Sequence, residues 1–438
     1  MSPLRLPAHE ATTAQLGAAY PFAAALPLRV TRVLIGSDLT GGVFAYDPFA
    51  LYEAGVLTNP NMTVLGQIGR GKSALVKSYL CRQAAFGRQV AVLDPKGEYG
   101  PLAEALGTAP VRLSPVGGVR VNPLEQLGRG DVQGGSTRGR EPAGFSDGAR
   151  HRRLVLLGAL AEATLHRRLA PRERLALEIA LDAVTSRRAV PTLIEVVDAL
   201  LRPEPGAASA TGLSDRELED DGKDIGLELR RLVKGDLAGM FDGETTPSLS
   251  ATAGGPAALI VDLSEVYHSE ALPALMVCAA AWLQAMIAHE DRQTLLVIDE
   301  AWAVLSDVAV GRFLRSSWKL SRARGTANVA VCHRASDLSA SGSAGSEEAR
   351  LAEGLLADSE TVVCYAQPAS EIPALAGLLG CSESELEWLP QLRRGVALWR
   401  VAGRSFLVEH LLGSHERRLV DTDAPLRGFA GHEAGGVF

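Results

Sequence analysis

The sequence predicts an α/β protein: a mainly parallel central sheet flanked by helices, with an all-helical insertion. Three observations lead there. Apolar runs closed by a polar residue recur along the chain, as buried parallel strands do. One of them, NMTVL, passes through the glycine-rich turn GQIGRGKS into a helical pattern and then the strand VAVLD, which makes a βαβ unit. Between the two halves of this pattern, residues 151–240 read as consecutive helices.

Taken in order, residues 1–27 are an N-terminal extension, and 28–127 are the N-terminal part of the core. Within the latter, residues 28–49 turn like a small strand pair that guards one edge, and the βαβ unit follows. Residues 128–256 are linker and insertion. GRGDVQGGSTRGREPAGFSDGAR has many glycines and no apolar period, so a mobile loop is expected. RRLVLLGALAEATLHRRL, PRERLALEIALDAVTSRR and PTLIEVVDALLR are amphipathic, two of them opened by a proline suited to a first helical turn. After the break RPEPGAASATGLSDRELEDDGKD, GLELRRLVKG is helical again. Residues 257–415 resume the core with strands AALIVDLS, TLLVIDEAW, NVAVCH and TVVCYAQ, helices around 311–325 and 347–357, and a last strand pair within 395–410. A flexible tail is expected over 416–438.

Composition narrows the class. A 47% apolar share supports a globular core, and 5% aromatics in an Ala-, Leu- and Arg-rich chain suits helices better than an all-β fold. The net charge of -7 argues against a surface coated in nucleic acid. Cys81, Cys278, Cys332, Cys364 and Cys381 are scattered without metal-ligand spacing, so reduced, cytosolic thiols are expected. The first residues lack the cationic leader and apolar run of a signal peptide. The oiliest stretch, residues 271–288, is interrupted by Pro273 and Gln284 and is too short to span a bilayer; it is expected to be a buried crossover helix, leaving no transmembrane segment.

GQIGRGKS fits the phosphate-loop pattern, with the strand before and the helix after that the pattern requires. Gly66, Gln67, Ile68, Gly69, Arg70 and Gly71 turn backbone N–H groups inward on phosphate oxygens, and the helix start at Lys72, Ser73 and Ala74 adds partial positive charge. Lys72 reaches toward the β- and γ-phosphates, and the Ser73 hydroxyl can ligate Mg²⁺. The Arg70 side chain can lean over the nucleotide or point to solvent. Further on, an apolar strand runs into Asp299 and Glu300. Asp299 is expected to hold the metal through water and Glu300 to act as general base for an attacking water, which implies hydrolysis; a surface pair capping a helix is the plainer alternative. Asp94 and Glu98 in VAVLDPKGEY can face the γ-phosphate side if strand 90–94 lies near the loop strand, although turn chemistry alone also explains DPKG.

In chain order, GQIGRGKS, DPKGEY, VNPL (121–124), GMFDG (239–243), VIDEAW (297–302) and SRARG (321–325) resemble the motor part of conjugative type IV secretion ATPases in the HerA/FtsK superfamily, over residues 30–415. The resemblance implies a RecA-like P-loop NTPase core, ATP and Mg²⁺, and a homo-hexamer. It also implies cytoplasmic work, peripheral at the inner face of the membrane, beside secretion-channel proteins and with protein or DNA as cargo. In such a ring Arg324, with Arg322 as second choice, would cross the subunit boundary to the neighbour's γ-phosphate; a solvated helix end is the plainer reading. Two features depart from the family. Residues 1–27 stand where a large N-terminal domain is usual, so channel contact is expected to be reduced or supplied by another chain. Cys332-His333-Arg334 replaces a Thr-Gln pair that senses the γ-phosphate; His333 can donate a hydrogen bond there, and a weakened sensor is equally compatible.

Two other classes compete with a secretion motor. A ring ATPase that pumps double-stranded DNA shares the core motifs, but no winged or basic DNA-binding module is visible, and the basic clusters in 151–202 lack interleaved aromatics. A nucleotide-gated structural component with little turnover is compatible with Cys332-His333 and opposed by Asp299-Glu300.

Overall fold

The computed structural model describes residues 28, 32–39, 42–125, 143–246, 257–287, 292–305, 307–321, 325–334 and 347–420. Its strands are β1 (Leu34–Asp38), β2 (Val43–Ala45), β3 (Met62–Leu65), β4 (Gln89–Asp94), β5 (Val111–Arg112), β6 (Ala258–Asp262), β7 (Thr294–Ile298), β8 (Thr326–Cys332), β9 (Thr361–Tyr365), β10 (Val396–Val401) and β11 (Arg404–His410). They form one sheet in the order β2-β1-β11-β10-β9-β3-β8-β7-β4-β6-β5. From β9 to β5 every pairing is parallel. From β9 back to β2 every pairing is antiparallel. The expected strand pair at 28–49 is β1 and β2, and it closes one edge of the sheet.

The central strands are apolar without alternation because both faces are covered. On one face Val64, Val92, Val297, Val329 and Val363 pack with Leu75, Val76, Tyr79 and Leu80. These last four belong to α2 (Lys72–Ala85), which lies between the short helices α1 (Pro48–Glu53) and α3 (Gly100–Ala105) in the chain. On the other face Leu65, Leu93, Leu296, Ile298 and Ala330 join a larger cluster that includes the insertion.

The regular structure of the insertion's described part is helical: α4 (Ala143–Leu165), α5 (Pro171–Arg187), α6 (Leu193–Leu201) and α7 (Asp215–Lys234), joined by turns. Pro171 opens α5, and Ser214 caps α7 by accepting from the Glu217 N–H. The insertion packs through α4 on α8 (Leu272–Ile287) and, beyond α9 (Ala301–Leu305), on α10 (Val308–Ser321). Helix α8 is the predicted crossover helix, with Leu275 through Ala280 all buried. No helix among the described residues is long and apolar enough to cross a membrane. After α10 come α11 (Glu347–Ala357), α12 (Ile372–Leu379), α13 (Glu383–Trp388) and α14 (Arg417–Val420).

The chain end corrects one expectation. Residues 416–420 belong to the fold: Leu419 is buried, and Glu416 accepts from Arg82 of α2 at 2.6 Å. The expected extension 1–27, residues 128–142 of the loop expected over 128–150 and the rest of the tail, 421–438, lie outside the described residues, while residues 143–150 of that loop form the first turns of α4.

A buried ion pair ties the edge strands to the phosphate-loop helix. Asp47 caps α1 by accepting from the N–H of Phe49 and Ala50, and its other oxygen takes Arg88 at 2.7 Å. Arg88 also donates to Gln83 at 2.6 Å and stacks over the Phe49 ring at 5.0 Å. Asp47→Ala removes a cap and strands a buried guanidinium. It should lower unfolding stability by roughly 3–5 kcal/mol, read as a reduced urea midpoint at unchanged slope.

Candidate active site

The carboxyl ends of the parallel strands share one edge, where ligands of such sheets bind. At the end of β3 the chain must leave a fully buried strand and start α2 within a few residues. Gly66 makes the first turn at φ 155°, where a Cβ would lie 2.5 Å from Cβ of Tyr365 on the neighbouring β9. Gln67 donates its N–H to Ala366 O at 3.2 Å, and Ile68 and Gly69 stand exposed. Gly71, at φ 116°, is the N-cap of α2 and has no side chain to occupy its free N–H groups. The loop is thereby a ring of backbone donors at a helix start.

Lys72 is buried and curls back onto its own loop, donating to Gly66 O and, at 3.1 Å, to Gln67 O. Burial pushes its ammonium down to about 8, against the attraction of Asp299 and Glu300. Ser73 and Ala74 form the first turn of α2 with it. Arg70 reaches back to Gln67 Oε1 at 3.4 Å and lines an open cleft with Ile68, Trp302, His333, Arg334 and Arg394.

Across β8 from the loop, β7 ends in the acidic pair. Asp299 is buried, its N–H bonded to Leu93 O at 3.1 Å, and its Oδ1 accepts the Glu300 N–H at 2.9 Å. Burial first, and the adjacent Glu300 charge second, hold its carboxyl above the usual range. Glu300 sits at φ 51°, left-handed backbone that costs a non-glycine residue roughly 1–2 kcal/mol. Such strain persists where its surroundings over-determine it. Three donors do so here. Glu300 Oε1 meets Lys96 Nζ at 2.5 Å and His333 Nε2 at 2.7 Å, and Oε2 accepts from Trp302 Nε1. Burial opposes the charge, but His333, Lys96 and Trp302 outweigh it and hold the carboxyl down at about 2.

The segment DPKGEY divides its work. Asp94 ends β4, which β7 and β8 separate from the loop strand β3. Its carboxylate organises its own turn, accepting from the N–H of Lys96, Gly97 and Tyr99 at 3.2, 2.9 and 2.9 Å. Burial raises it to about 6 against those bonds. Glu98 lies 3.7 Å from Lys77, a fully buried lysine one turn beyond the loop on α2. His333, expected at the γ-phosphate, has its Nε2 on Glu300, while its carbonyl accepts from Gln367 at 3.4 Å. Arg322 and Arg324 lie outside the described residues.

Lys77, Lys96 and Trp302 were not singled out in the sequence. Lys96 and Trp302 stand inside the quoted motifs, and only the pairing of distant strand ends reveals their common partner. Among the described residues no cluster of three or more His, Cys, Asp and Glu could hold a metal ion by itself. Ser73 and Asp299 are hard oxygen donors of the kind Mg²⁺ takes singly or in pairs, with phosphate and water completing the shell, so the pair fits a nucleotide-bound Mg²⁺.

No protein-family model and no curated protein matches the sequence. Solved structures do. VirB4 of Thermoanaerobacter pseudethanolicus superposes with a TM-score of 0.70 at 20% identity, over 90% of this chain and 100% of that one. The plasmid coupling protein TrwB in complex with ADP and Mg²⁺ superposes at 0.54 and 15% identity, over 81% of this chain and 85% of that one. The unbound bacterial conjugative coupling protein TrwBdeltaN70 does so at 0.51 and 16%, over 81% and 84%. At such identities the likeness is one of architecture: this chain has the fold of the VirB4 and TrwB structures, a RecA-like P-loop core with a helical insertion.

Proposed function

We propose that this chain is a Mg²⁺-dependent ATPase that powers conjugative transfer or type IV secretion as a ring motor. The observation that carries the reading is the phosphate loop at the start of α2, set across β8 from the buried Asp299-Glu300 pair. The fold of VirB4 and TrwB supports it, and TrwB itself has been captured with ADP and Mg²⁺ and with a non-hydrolysable ATP analogue. A homo-hexamer at the inner face of the cytoplasmic membrane, docked on channel proteins, is the assembly this reading calls for.

The residues divide the chemistry in a stated order. The loop N–H groups and Lys72 bind the β- and γ-phosphates, Lys72 leaving its own carbonyls to do so. Ser73 and Asp299 would hold Mg²⁺, which when bound neutralises phosphate charge. Glu300 accepts a proton from water as the water oxygen bonds to the γ-phosphorus; the bond from that phosphorus to the β–γ bridging oxygen breaks, and ADP carries away the electron pair. Glu98, fixed on Lys77, couples the DPKGEY turn to α2.

A second reading, a nucleotide-gated platform component with little turnover, is favoured by one observation. Both oxygens of Glu300 are already engaged by Lys96, His333 and Trp302.

Single-turnover ATP hydrolysis decides between them. Glu300→Gln should keep ATP binding and lose about 10²–10⁴-fold in rate, the range for a general base. Equal, negligible rates in both proteins would establish the platform reading. Lys72→Ala should weaken ATP binding in a direct titration.

The ring is tested separately. Arg324→Ala, or failing it Arg322→Ala, should leave nucleotide binding nearly intact and cut hydrolysis by roughly 10²-fold. Mixing Arg324→Ala with Lys72→Ala subunits should restore activity at boundaries that pair an intact loop with an intact arginine. Full activity of both arginine variants would remove the trans-acting role.

A further inference from the structure

Lys96 has no part in the chemistry assigned above, yet it makes the shortest ionic contact in the site. Its Nζ lies 2.5 Å from Glu300 Oε1, the same oxygen that His333 Nε2 meets at 2.7 Å. Nζ and Nε2 are themselves only 3.4 Å apart. With Trp302 on Oε2, the carboxylate that would receive the proton of an attacking water is met at both oxygens by three protein donors. A fixed arrangement of this kind stores the base; it does not use it.

The three donors are not equally fixed. Trp302 sits on α9, and His333 directly continues the central strand β8, with its carbonyl held by Gln367. Lys96 sits on a turn, and its side chain is 30% exposed where that of Glu300 is 4% exposed. The turn itself is anchored by Asp94 through the backbone, so the Lys96 side chain can swing without unfolding it. Lys96 also lies close enough to Lys72 for the two charges to repel. A group able to draw Lys72 off its carbonyls is therefore within the electrostatic reach of Lys96 as well. The polyanion that differs from its product by one charged group at that place is a nucleoside triphosphate against a diphosphate.

We propose that Lys96 is a positioning residue that reads the γ-phosphate: on triphosphate binding its Nζ moves from Glu300 Oε1 to a γ-phosphate oxygen, which releases Glu300 to hold the attacking water. This rests on the ATPase reading and adds to it a sensor in the β4–α3 turn, in place of the Cys332-His333 position after β8. His333 then keeps Glu300 oriented while Lys96 is away. Release of the phosphate returns Lys96 to the carboxylate, so the base is exposed only when there is a bond to cleave.

The test compares the full chain with Lys96→Met and Lys96→Arg, measuring affinity for Mg-ADP and for a non-hydrolysable ATP analogue with Mg²⁺. Lys96→Met should bind ADP within about twofold of the parent and the ATP analogue about tenfold more weakly, and Lys96→Arg should recover most of the difference. Tryptophan emission supplies a readout independent of turnover: the analogue, and not ADP, should change a signal that Trp302→Phe removes and Lys96→Met blunts. In turnover, Lys96→Met should raise KM for ATP more than it changes kcat, because the lost contact is made to the bound triphosphate and Glu300 is already released. Unchanged discrimination and an unchanged emission response in Lys96→Met would overturn the sensor while leaving the ATPase reading in place. A parent that binds neither nucleotide would overturn both.

Discussion

Parallel register is the constraint on which the site depends. Leu65 pairs with Cys332 on one side and Cys364 on the other, Ile298 pairs with Ala330 and Leu93, and Asp94 pairs with Asp262. The residues that follow these partners, Gly66, His333 and Asp299, therefore leave the sheet at one edge, Gly66 level with His333 and Asp299 two residues short of them. Buried strands tolerate no slip, because a shift of one residue would turn every side chain to the opposite face. The apolar packing of both faces thus sets the spacing between the phosphate loop and the acidic pair, with no contact needed between them.

That edge concentrates charge in a poorly hydrated place. Lys72, Lys77, Asp94, Asp299 and Glu300 are all buried. Each isolated charge would cost several kcal/mol; Lys72 donates to loop carbonyls, Asp94 accepts three N–H groups, Glu300 meets three donors, and Lys77 has the Glu98 charge at 3.7 Å. The DPKGEY turn supplies much of this: Asp94 holds the turn, Lys96 takes Glu300, and Glu98 takes Lys77. One short segment therefore touches the loop helix α2 and the acidic strand β7 at once. A displacement of it in response to nucleotide would be felt on both sides.

Two other quoted motifs have structural work. Val121 of VNPL donates its N–H to Met240 O of GMFDG at 2.9 Å, and Asn122 accepts from Leu124 N and donates to Pro191 O. Gly239, at φ 102°, packs so closely on Pro115 that a Cβ would lie 2.4 Å from its carbonyl oxygen. These pieces seat the ends of the helical insertion against the core. Arg153 reinforces the seat from α4 by donating to Leu124 O at 3.0 Å. Their bonding to one another thus marks an architectural joint, distinct from the chemistry of the loop.

Local patterns were legible in the amino-acid sequence alone. The unbroken apolar runs identified the buried strands, proline and serine marked helix starts, and glycines between a strand and a lysine-serine helix start identified the phosphate loop. The acidic pair at the end of β7 was legible for the same reason: the apolar run ends where charge begins. Strand order was not, because nothing local says that β3 lies between β8 and β9, roughly 300 residues away in the chain. The condition set for Asp94 and Glu98, a strand 90–94 near the loop strand, turned on that order. The partners of Glu300 were hidden likewise, since Lys96, Trp302 and His333 come from three different strand ends. Sequence by itself determined which segments must be buried and where a phosphate-loop pattern and an acidic pair stand at strand ends. Only the tertiary structure decided which charges meet, because a side chain's partner is set by how distant strands pair and pack.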